Sequence, residues 1–207
     1  MRKGFGTKAR LVLATTIAAL ALPGGASAGL LWTDNPAYCD PSVGQDFSRW
    51  GDTANYRLAP GGAFEAGNPA WRLSGGAKVA AGNEPFQLRS GSRSLYLPAG
   101  AVATSPTTCF SFGDWHARFV VRNAGATSGQ LEVDIVVHSL VGVLSVLDGG
   151  TIRAGSTWAP SPRISALISN LGGLLGTVKA ISVRVKARGT GAAFMIDDLF
   201  VDPLRKN

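Results

Sequence analysis

The stretch QLEVDIVVH, residues 130–138, decides the fold class because apolar and polar residues alternate along most of it. Leu131, Val133, Ile135 and Val137 share one side of an extended chain, and the residues between them share the other. A strand with one dry side and one polar side is typical of an antiparallel sheet whose outer face meets water. The stretch therefore predicts an all-β protein.

Two more stretches have the same period of two, HARFVVR at residues 116–122 and ISVRVKAR at 181–188. Shorter apolar runs bounded by Gly, Pro, Asn and Ser indicate further strands earlier in the chain. Four apolar residues of those runs are expected to supply the opposing sheet of a sandwich: Trp71, Leu73, Leu95 and Leu97. Strands do not alternate with helices, which argues against a parallel α/β sheet.

Residues 163–178, RISALISNLGGLLGTV, do not alternate. Ile164, Leu167, Ile168 and Leu171 fall at helical spacing, and two glycines follow. We expect one short apolar helix or covered loop that packs over an end of the sandwich. A pocket for an apolar ligand is the alternative.

The first 28 residues are expected to be a secretory signal peptide. Four basic residues precede an apolar run, and PGGASA then offers small residues for cleavage after Ala28. The run is shorter than the roughly 20 residues that span a bilayer, so we predict no membrane span. The domain boundaries are then a signal at 1–28, an irregular N-terminal arm at 29–55 and the sandwich at 56–203. The protein is expected to be secreted or to stay at the cell surface.

The charge of the exported chain is smaller than that of the whole sequence. The full chain has a net charge of +7, but removal of the signal leaves 16 basic and 13 acidic residues, a balance of +3. Such a mild positive charge does not argue for nucleic-acid binding, which needs a basic patch or stripe, so we predict no nucleic-acid partner.

The chain has two cysteines, Cys39 and Cys109. In an exported protein an even number of cysteines indicates a disulfide, which here would fix the arm to the sandwich. Two cysteines without neighbouring histidines make a poor zinc site, and a redox pair is usually spaced C-x-x-C.

The sequence gives little support for catalysis. It has two histidines, His116 and His138, and the chain that follows Ala28 has neither a G-x-S-x-G motif nor a P-loop. Glu132, Asp134 and His138 share one strand face, but this is also how surface polar groups are arranged. We therefore predict that the protein is not an enzyme.

The acids Glu65, Asp197 and Asp198 stand beside apolar residues. Glu65 follows Phe64, and the two aspartates interrupt the apolar run AFMIDDLFV. A buried unpaired carboxylate costs several kcal/mol, and Ca²⁺, which prefers oxygen ligands, would remove that cost. The alternative is that these acids are solvated or pair with an arginine.

The segments GGAFEAGNPAW, SRSLYLPAG and FMIDDLFV together resemble the jelly-roll domains of the carbohydrate-binding-module and galactose-binding-like group. The three segments are distributed over most of residues 56–201, and the resemblance implies an antiparallel jelly-roll sandwich. It also implies a structural calcium whose side-chain ligands are Glu65 and Asp197. The chain departs from the group's pattern at Gly61, where asparagine is usual.

Such domains hold sugars with exposed aromatic rings, so the resemblance implies Trp115 and Trp158 as ligand-binding residues. The charged faces of the alternating strands are either a polar ligand cleft or a solvated surface with cross-strand ion pairs. We predict an exported, non-catalytic module that binds a cell-envelope or environmental glycan. A secreted structural or protein–protein interaction domain without a glycan ligand is the alternative.

Overall fold

The computed structural model describes residues 43–65, 71–109, 115–166, 178 and 180–202. A 3-10 helix spans Ser48–Trp50. The strands are β1 (Arg57–Leu58), β2 (Arg72–Ser74), β3 (Lys78–Ala81), β4 (Arg93–Pro98), β5 (Val102–Thr104), β6 (Thr108–Cys109), β7 (Trp115–Asn123), β8 (Gln130–Ser139), β9 (Gly142–Ile152), β10 (Ala159–Pro160), β11 (Ile164–Ala166), β12 (Ala180–Arg188) and β13 (Ala193–Val201).

The strands form two antiparallel sheets. The seven-stranded sheet has the order β10-β7-β13-β4-β3, with β1 against β13 and β11 against β7. The six-stranded sheet has the order β2-β5-β12-β8-β9, with β6 against β12. The prediction of an all-β antiparallel jelly-roll sandwich is confirmed.

The core lies between the two sheets and is built from the dry sides that the alternation predicted. Leu131, Val133, Ile135 and Val137 of β8 are fully buried in it. The alternate residues of β7 and β12 join them: Ala117, Phe119, Val121, Ile181, Val183, Val185 and Ala187. The hydrophobic effect of burying these side chains holds the sheets together.

The expected division of strands between the sheets is wrong. We expected β7, β8 and β12 to share one sheet, but β7 pairs with β13 and lies in the opposing sheet. Trp71 and Leu73 accompany β8 and β12, whereas Leu95 and Leu97 accompany β7. Alternation shows which side of a strand is dry, and it contains no information on which sheet the strand joins.

The expected helix or covered loop at residues 163–178 begins instead as a strand. Ile164–Ala166 forms β11, antiparallel to the start of β7, and Ile164 enters the core. The β-branched Ile164 suits a pleated surface, and its strand pairing overrides the helical spacing. Residues 167–177 lie outside the described part of the chain.

The described part of the N-terminal arm packs on the outer face of the seven-stranded sheet. Phe47 is fully buried and forms edge-on ring contacts with Tyr56 and Phe200 at centroid distances of 5.2 and 5.4 Å. Buried Asp52 forms ion pairs with Arg118 and Arg163 and so joins the arm to the sheet. These contacts fix the described part of the arm to the outer face of this sheet.

The signal peptide and Cys39 lie outside the described residues, and of Cys109 only the backbone in β6 is described. The cleavage site and the disulfide therefore stay predictions. In the ranges described, no helix has the length and apolar character needed to cross a membrane.

Candidate functional site

The first and last strands of the sandwich lie side by side. β1 pairs with β13 through Arg57 opposite Val201 and Leu58 opposite Phe200. The chain then turns, and Leu199 exchanges backbone hydrogen bonds with Ala59 and Gly62 at 2.8 and 3.1 Å. Residues 62–65 form turns rather than a strand. The segment before Glu65 is nevertheless fixed against β13.

A β-bulge at Asp197 and Asp198 places two adjacent acids inside the protein. Before the bulge, the residue of β13 that enters the core is Ile196, and after it the core residue is Leu199. The register against β7 shifts at this point, and Asp198 has a φ of 48°. Asp tolerates this left-handed conformation better than most residues. The extra residue lets both acids be buried without interrupting the apolar core.

The aspartates are buried beneath residues 82–92, the loop between β3 and β4, which we call the acid-held loop. Asp197 accepts a hydrogen bond from the backbone N–H of Glu84 at 3.0 Å, and Asp198 accepts one from that of Arg89 at 2.9 Å. The carboxylate of Glu84, which is 1% exposed, accepts the N–H groups of Phe86 and Leu88. The three carboxylates thus accept backbone N–H groups of the loop that would pair with a neighbouring strand in a regular sheet.

Glu65 holds the far end of the same loop. Its Oε1 accepts hydrogen bonds from the N–H groups of Ser92 and Arg93 at 2.7 and 2.6 Å. Glu65 and Asp197, the two predicted calcium ligands, therefore bind opposite ends of the acid-held loop. Among the described residues, no three His, Cys, Asp or Glu side chains have the arrangement of a metal site.

The acids beneath the loop repel one another and are shielded from water. Burial, together with the charges of Asp198 and Glu84, raises the pKa of Asp197 to about 8. Burial and the neighbouring Glu84 raise the pKa of Asp198 to about 7. Asp198 Oδ1 is buried without a hydrogen-bond partner. The site therefore favours a proton or a cation over bare charges.

The outer face of the six-stranded sheet carries charges that neutralise one another. Arg184 pairs with Asp134 at 2.8 Å, and Lys186 bridges Glu132 and Asp134 at 2.5 and 2.7 Å. Arg188 also pairs with Glu132, at 2.7 Å. These cross-strand pairs match the interpretation of a polar face laced with ion pairs.

His138 lies on the same face but is only 1% exposed. Its Nε2 is 3.1 Å from Ser182 Oγ, and burial, with a smaller contribution from nearby Arg72, lowers its pKa to about 4. The histidine is therefore neutral at pH 7.

Trp158 belongs to a row of side chains across the outer face of the seven-stranded sheet, which we call the aromatic row. Pairing places Tyr96 opposite Met195 and Lys78, and Met195 opposite Arg122. Trp158 continues the row, since it precedes Ala159, which pairs with Val121 beside Arg122. The members in order are Trp158, Arg122, Met195, Tyr96 and Lys78.

The side chains of the aromatic row contact one another. The Arg122 guanidinium lies 5.5 Å from the Trp158 ring centroid, and Lys78 Nζ lies 5.8 Å from that of Tyr96. Trp158, Arg122 and Tyr96 are partly exposed, Lys78 is exposed and Met195 is buried. Trp115, the other predicted ligand-binding tryptophan, begins β7 opposite Ala166, and its side chain lies outside the described part.

Sequence reasoning missed Glu84 and Tyr96. Glu84 stands in the turn-like run GNEPF, where an acid is ordinarily solvated, and no local pattern marks it as buried. Tyr96 lies in SLYLP between two core leucines, so alternation alone places it on the outer face. Only the strand order brings it into line with Trp158.

No protein-family model and no curated protein matches this chain. Among solved structures, the enzymatically active domain of bacteriophage CBA120 tailspike protein 4 is 14% identical with a TM-score of 0.52. The match covers 71% of this chain and 21% of the tailspike chain, so our chain spans about a fifth of that protein.

Two carbohydrate-binding modules are similar over nearly their whole length. TmCBM61, solved in complex with β-1,4-galactotriose, is 16% identical with a TM-score of 0.50, and the match covers 72% of this chain and 99% of that one. A family 11 module from Clostridium thermocellum is 14% identical with a TM-score of 0.46, covering 74% and 98%. The similarity to TmCBM61 confirms, at the level of the fold, the predicted resemblance to the jelly-roll domains of carbohydrate-binding modules.

Proposed function

We propose that this protein is an exported, non-catalytic carbohydrate-binding domain, and the aromatic row is the observation that carries the proposal. Trp158 and Tyr96 present partly exposed rings on the outer face of the seven-stranded sheet. Aromatic rings offer a flat apolar surface with few rotatable bonds, which suits the C–H faces of sugar rings. The jelly-roll fold shared with TmCBM61 supports the proposal.

The test is binding of the full exported chain to an array of glycans and to insoluble polysaccharides. We expect Trp158→Ala and Tyr96→Ala to weaken binding, because each removes a stacking surface. Trp50→Ala is the matched control, since Trp50 lies outside the row and packs with Phe47 of the arm and Phe86 of the acid-held loop. Trp115→Ala is included because the sequence predicts a role for it. A protein that binds no glycan would contradict the proposed function.

A structural Ca²⁺ that stabilises the acid-held loop is part of the proposal, with Glu65 and Asp197 as its side-chain ligands. The oxygens available are of the kind that calcium prefers. The buried Asp198 Oδ1 without a partner supports a cation nearby, and so does the accumulation of acids around it. Bound calcium would neutralise the buried charge and fix the loop against β13.

Chelation of the purified protein tests the calcium. We expect a chelator to lower the melting temperature, calcium to restore it, and Glu65→Ala to remove this response. Glu132→Ala is the control, because Glu132 lies on the six-stranded sheet and pairs with Lys186 and Arg188. An unchanged melting temperature in chelator, with no metal found by elemental analysis, would exclude the site.

An interaction domain without a glycan ligand is the second candidate, and an apolar patch on the β8–β9 hairpin favours it. Leu140, Val141 and Val143 are 61%, 88% and 55% exposed. β9 is also the end strand of the six-stranded sheet's path, and such strands offer unpaired backbone groups. Self-association that Val141→Lys abolishes, together with an empty glycan array, would support this candidate.

A further inference from the structure

We infer that the sugar chain held by the aromatic row is acidic, and that Arg122 and Lys78 bind its carboxylate groups. This inference rests on the proposed carbohydrate-binding function and specifies the class of ligand. The row alternates ring and cation across the sheet, so a chain lying along it would meet a stacking surface and a positive charge in turn.

Arg122 has hydrogen-bonding capacity that the protein does not use. Among the described residues it forms one hydrogen bond, from Nη2 to the thioether sulfur of Met195 at 2.7 Å, and this sulfur is a weak acceptor. Its Nε is buried without a partner, so a ligand on the surface would meet the terminal Nη groups. The guanidinium is held over the Trp158 ring and has donors left for a planar, two-oxygen acceptor such as a carboxylate.

Several arginines of the sandwich are neutralised by acids. Arg118 and Arg163 pair with Asp52, and Arg184 pairs with Asp134. Arg122 and Lys78, in contrast, contact no carboxylate among the described residues. An anionic ligand could form ion pairs with both cations and neutralise their charge.

The carboxylates nearest in sequence do not neutralise the row. Asp197 and Asp198 follow Met195 on β13, but they are 0% and 1% exposed beneath the acid-held loop. Their oxygens accept backbone N–H groups of the loop and of Asp198 itself. The exposed part of the aromatic row therefore presents positive charge.

The length of the row indicates a polymer rather than a single sugar. Trp158 and Tyr96 are three strands apart, which corresponds to about 14 Å at the usual strand spacing. One pyranose ring cannot contact both. A chain that crosses the strands would stack on both rings and place acidic groups beside Arg122 and Lys78.

The experiment compares polygalacturonate with the same polymer after its carboxylates have been reduced to neutral alcohols. We expect the full exported chain to bind polygalacturonate at least about tenfold more tightly than the reduced polymer, because hydrogen bonds to charged groups are stronger than those to neutral ones. Salt should weaken binding, because exposed charges are screened. Arg122→Gln and Lys78→Gln should each remove most of the preference, and Arg122→Lys should restore part of it.

Arg188→Gln is the matched control, because it removes the same charge from the opposite sheet and should leave the preference intact. Equal binding of the acidic and reduced polymers would overturn the inference while the proposed function stands. Preference for a sulfated polymer such as dextran sulfate over polygalacturonate would also overturn it. Failure to bind any glycan would contradict the proposed function itself. Circular dichroism and melting temperatures of each variant distinguish lost binding from lost folding.

Discussion

At the residue scale, Asp198 combines three unusual features: a left-handed φ of 48°, burial and a carboxylate oxygen without a partner. A residue retained in such a conformation is commonly part of a functional constraint. Asparagine is nearly the same size, tolerates the same backbone and can accept the Arg89 N–H. Asp198→Asn therefore removes the charge of the side chain while it keeps the side chain's shape.

We predict that Asp198→Asn melts no lower than wild type in chelator and loses most of the stabilisation by calcium. Burial already keeps the acid from ionising freely, so the neutral amide costs little without metal. Thermal unfolding with chelator and with calcium measures both effects. A variant that retains the full calcium response would show that Asp198 does not contribute to the cation site.

His138 makes the free energy of unfolding depend on pH. Its pKa falls from 6.5 to about 4 in the folded protein, so the folded state resists a proton that the unfolded chain accepts. Its contribution is therefore complete above pH 6.5 and is lost as the pH falls toward 4. The groups identified beside the ring are Ser182 and the cation Arg72, and the latter adds to the effect.

We predict that His138→Gln reduces the loss of stability between pH 7 and pH 4 by roughly 3 kcal/mol, the equivalent of the pKa shift. Denaturant unfolding at a series of pH values measures it. If wild type and variant lose the same stability, other groups, such as Asp52 with its two arginines, dominate the loss of stability at low pH.

The sequence predicted part of the acid site at this scale. Glu65 and Asp197 were noticed as acids beside apolar residues, and the resemblance implied them as calcium ligands. Both hold the same loop, and the calcium stays a prediction. Glu84 was not, since its burial depends on a loop that folds back over β13. A pattern of residue types cannot show such a tertiary contact.

At the scale of elements, the turn between β1 and the site depends on Gly62. A Cβ at this position would lie 2.5 Å from the carbonyl oxygen of Leu199 and 2.9 Å from that of Ala59, both backbone atoms. Neither can move without breaking the hydrogen bonds that join the turn to the bulged strand β13. The acid site therefore depends on the close approach of the Gly62 backbone to β13.

We predict that Gly62→Ala destabilises the protein by about 1–3 kcal/mol, the usual cost of overpacking. Gly155→Ala is the control, because nothing lies within 4 Å of the Cβ it would add. Urea unfolding of the two variants gives the comparison. Equal stability of both variants would mean that the turn can shift away from β13 at little cost.

Elements also show why the strands could be predicted and their arrangement could not. The dry side of β8 is visible in QLEVDIVVH because each inward residue is apolar, and the core confirms it. The separation of β7 from β8 depends on β13, which arrives about 70 residues after them and pairs with β7. Local periodicity cannot anticipate a pairing set by chain topology.

At the scale of the whole molecule, the two outer faces differ. The six-stranded sheet presents charges that pair with one another. On the seven-stranded sheet, the arm and the acid-held loop cover one part, and the aromatic row occupies another. The loop reaches the edge of the row, since a Cβ at Gly82 would lie 3.1 Å from the Met195 Cε. A cation that fixes the loop would therefore also support the surface proposed to bind sugar.

The predicted disulfide would act on the molecule as a whole. The arm packs on the outer face of the seven-stranded sheet, whereas Cys109 lies in β6 of the six-stranded sheet. A bond from Cys39 to Cys109 would therefore run from the arm to the opposite sheet and close a loop of about 71 residues, worth on the order of 4 kcal/mol. At a few degrees per kcal/mol, reduction should lower the melting temperature by about 10 °C.

Mass spectrometry after alkylation under denaturing conditions is the direct measurement. Protein purified from the exported fraction should gain no alkyl groups until it is reduced, and then two. Cys39→Ser and Cys109→Ser should each lower the melting temperature by the same amount as reduction, and the double variant should add nothing further, because a single bond links the pair. Two free thiols in the exported protein would show that the arm is held by Phe47, Asp52 and their contacts alone.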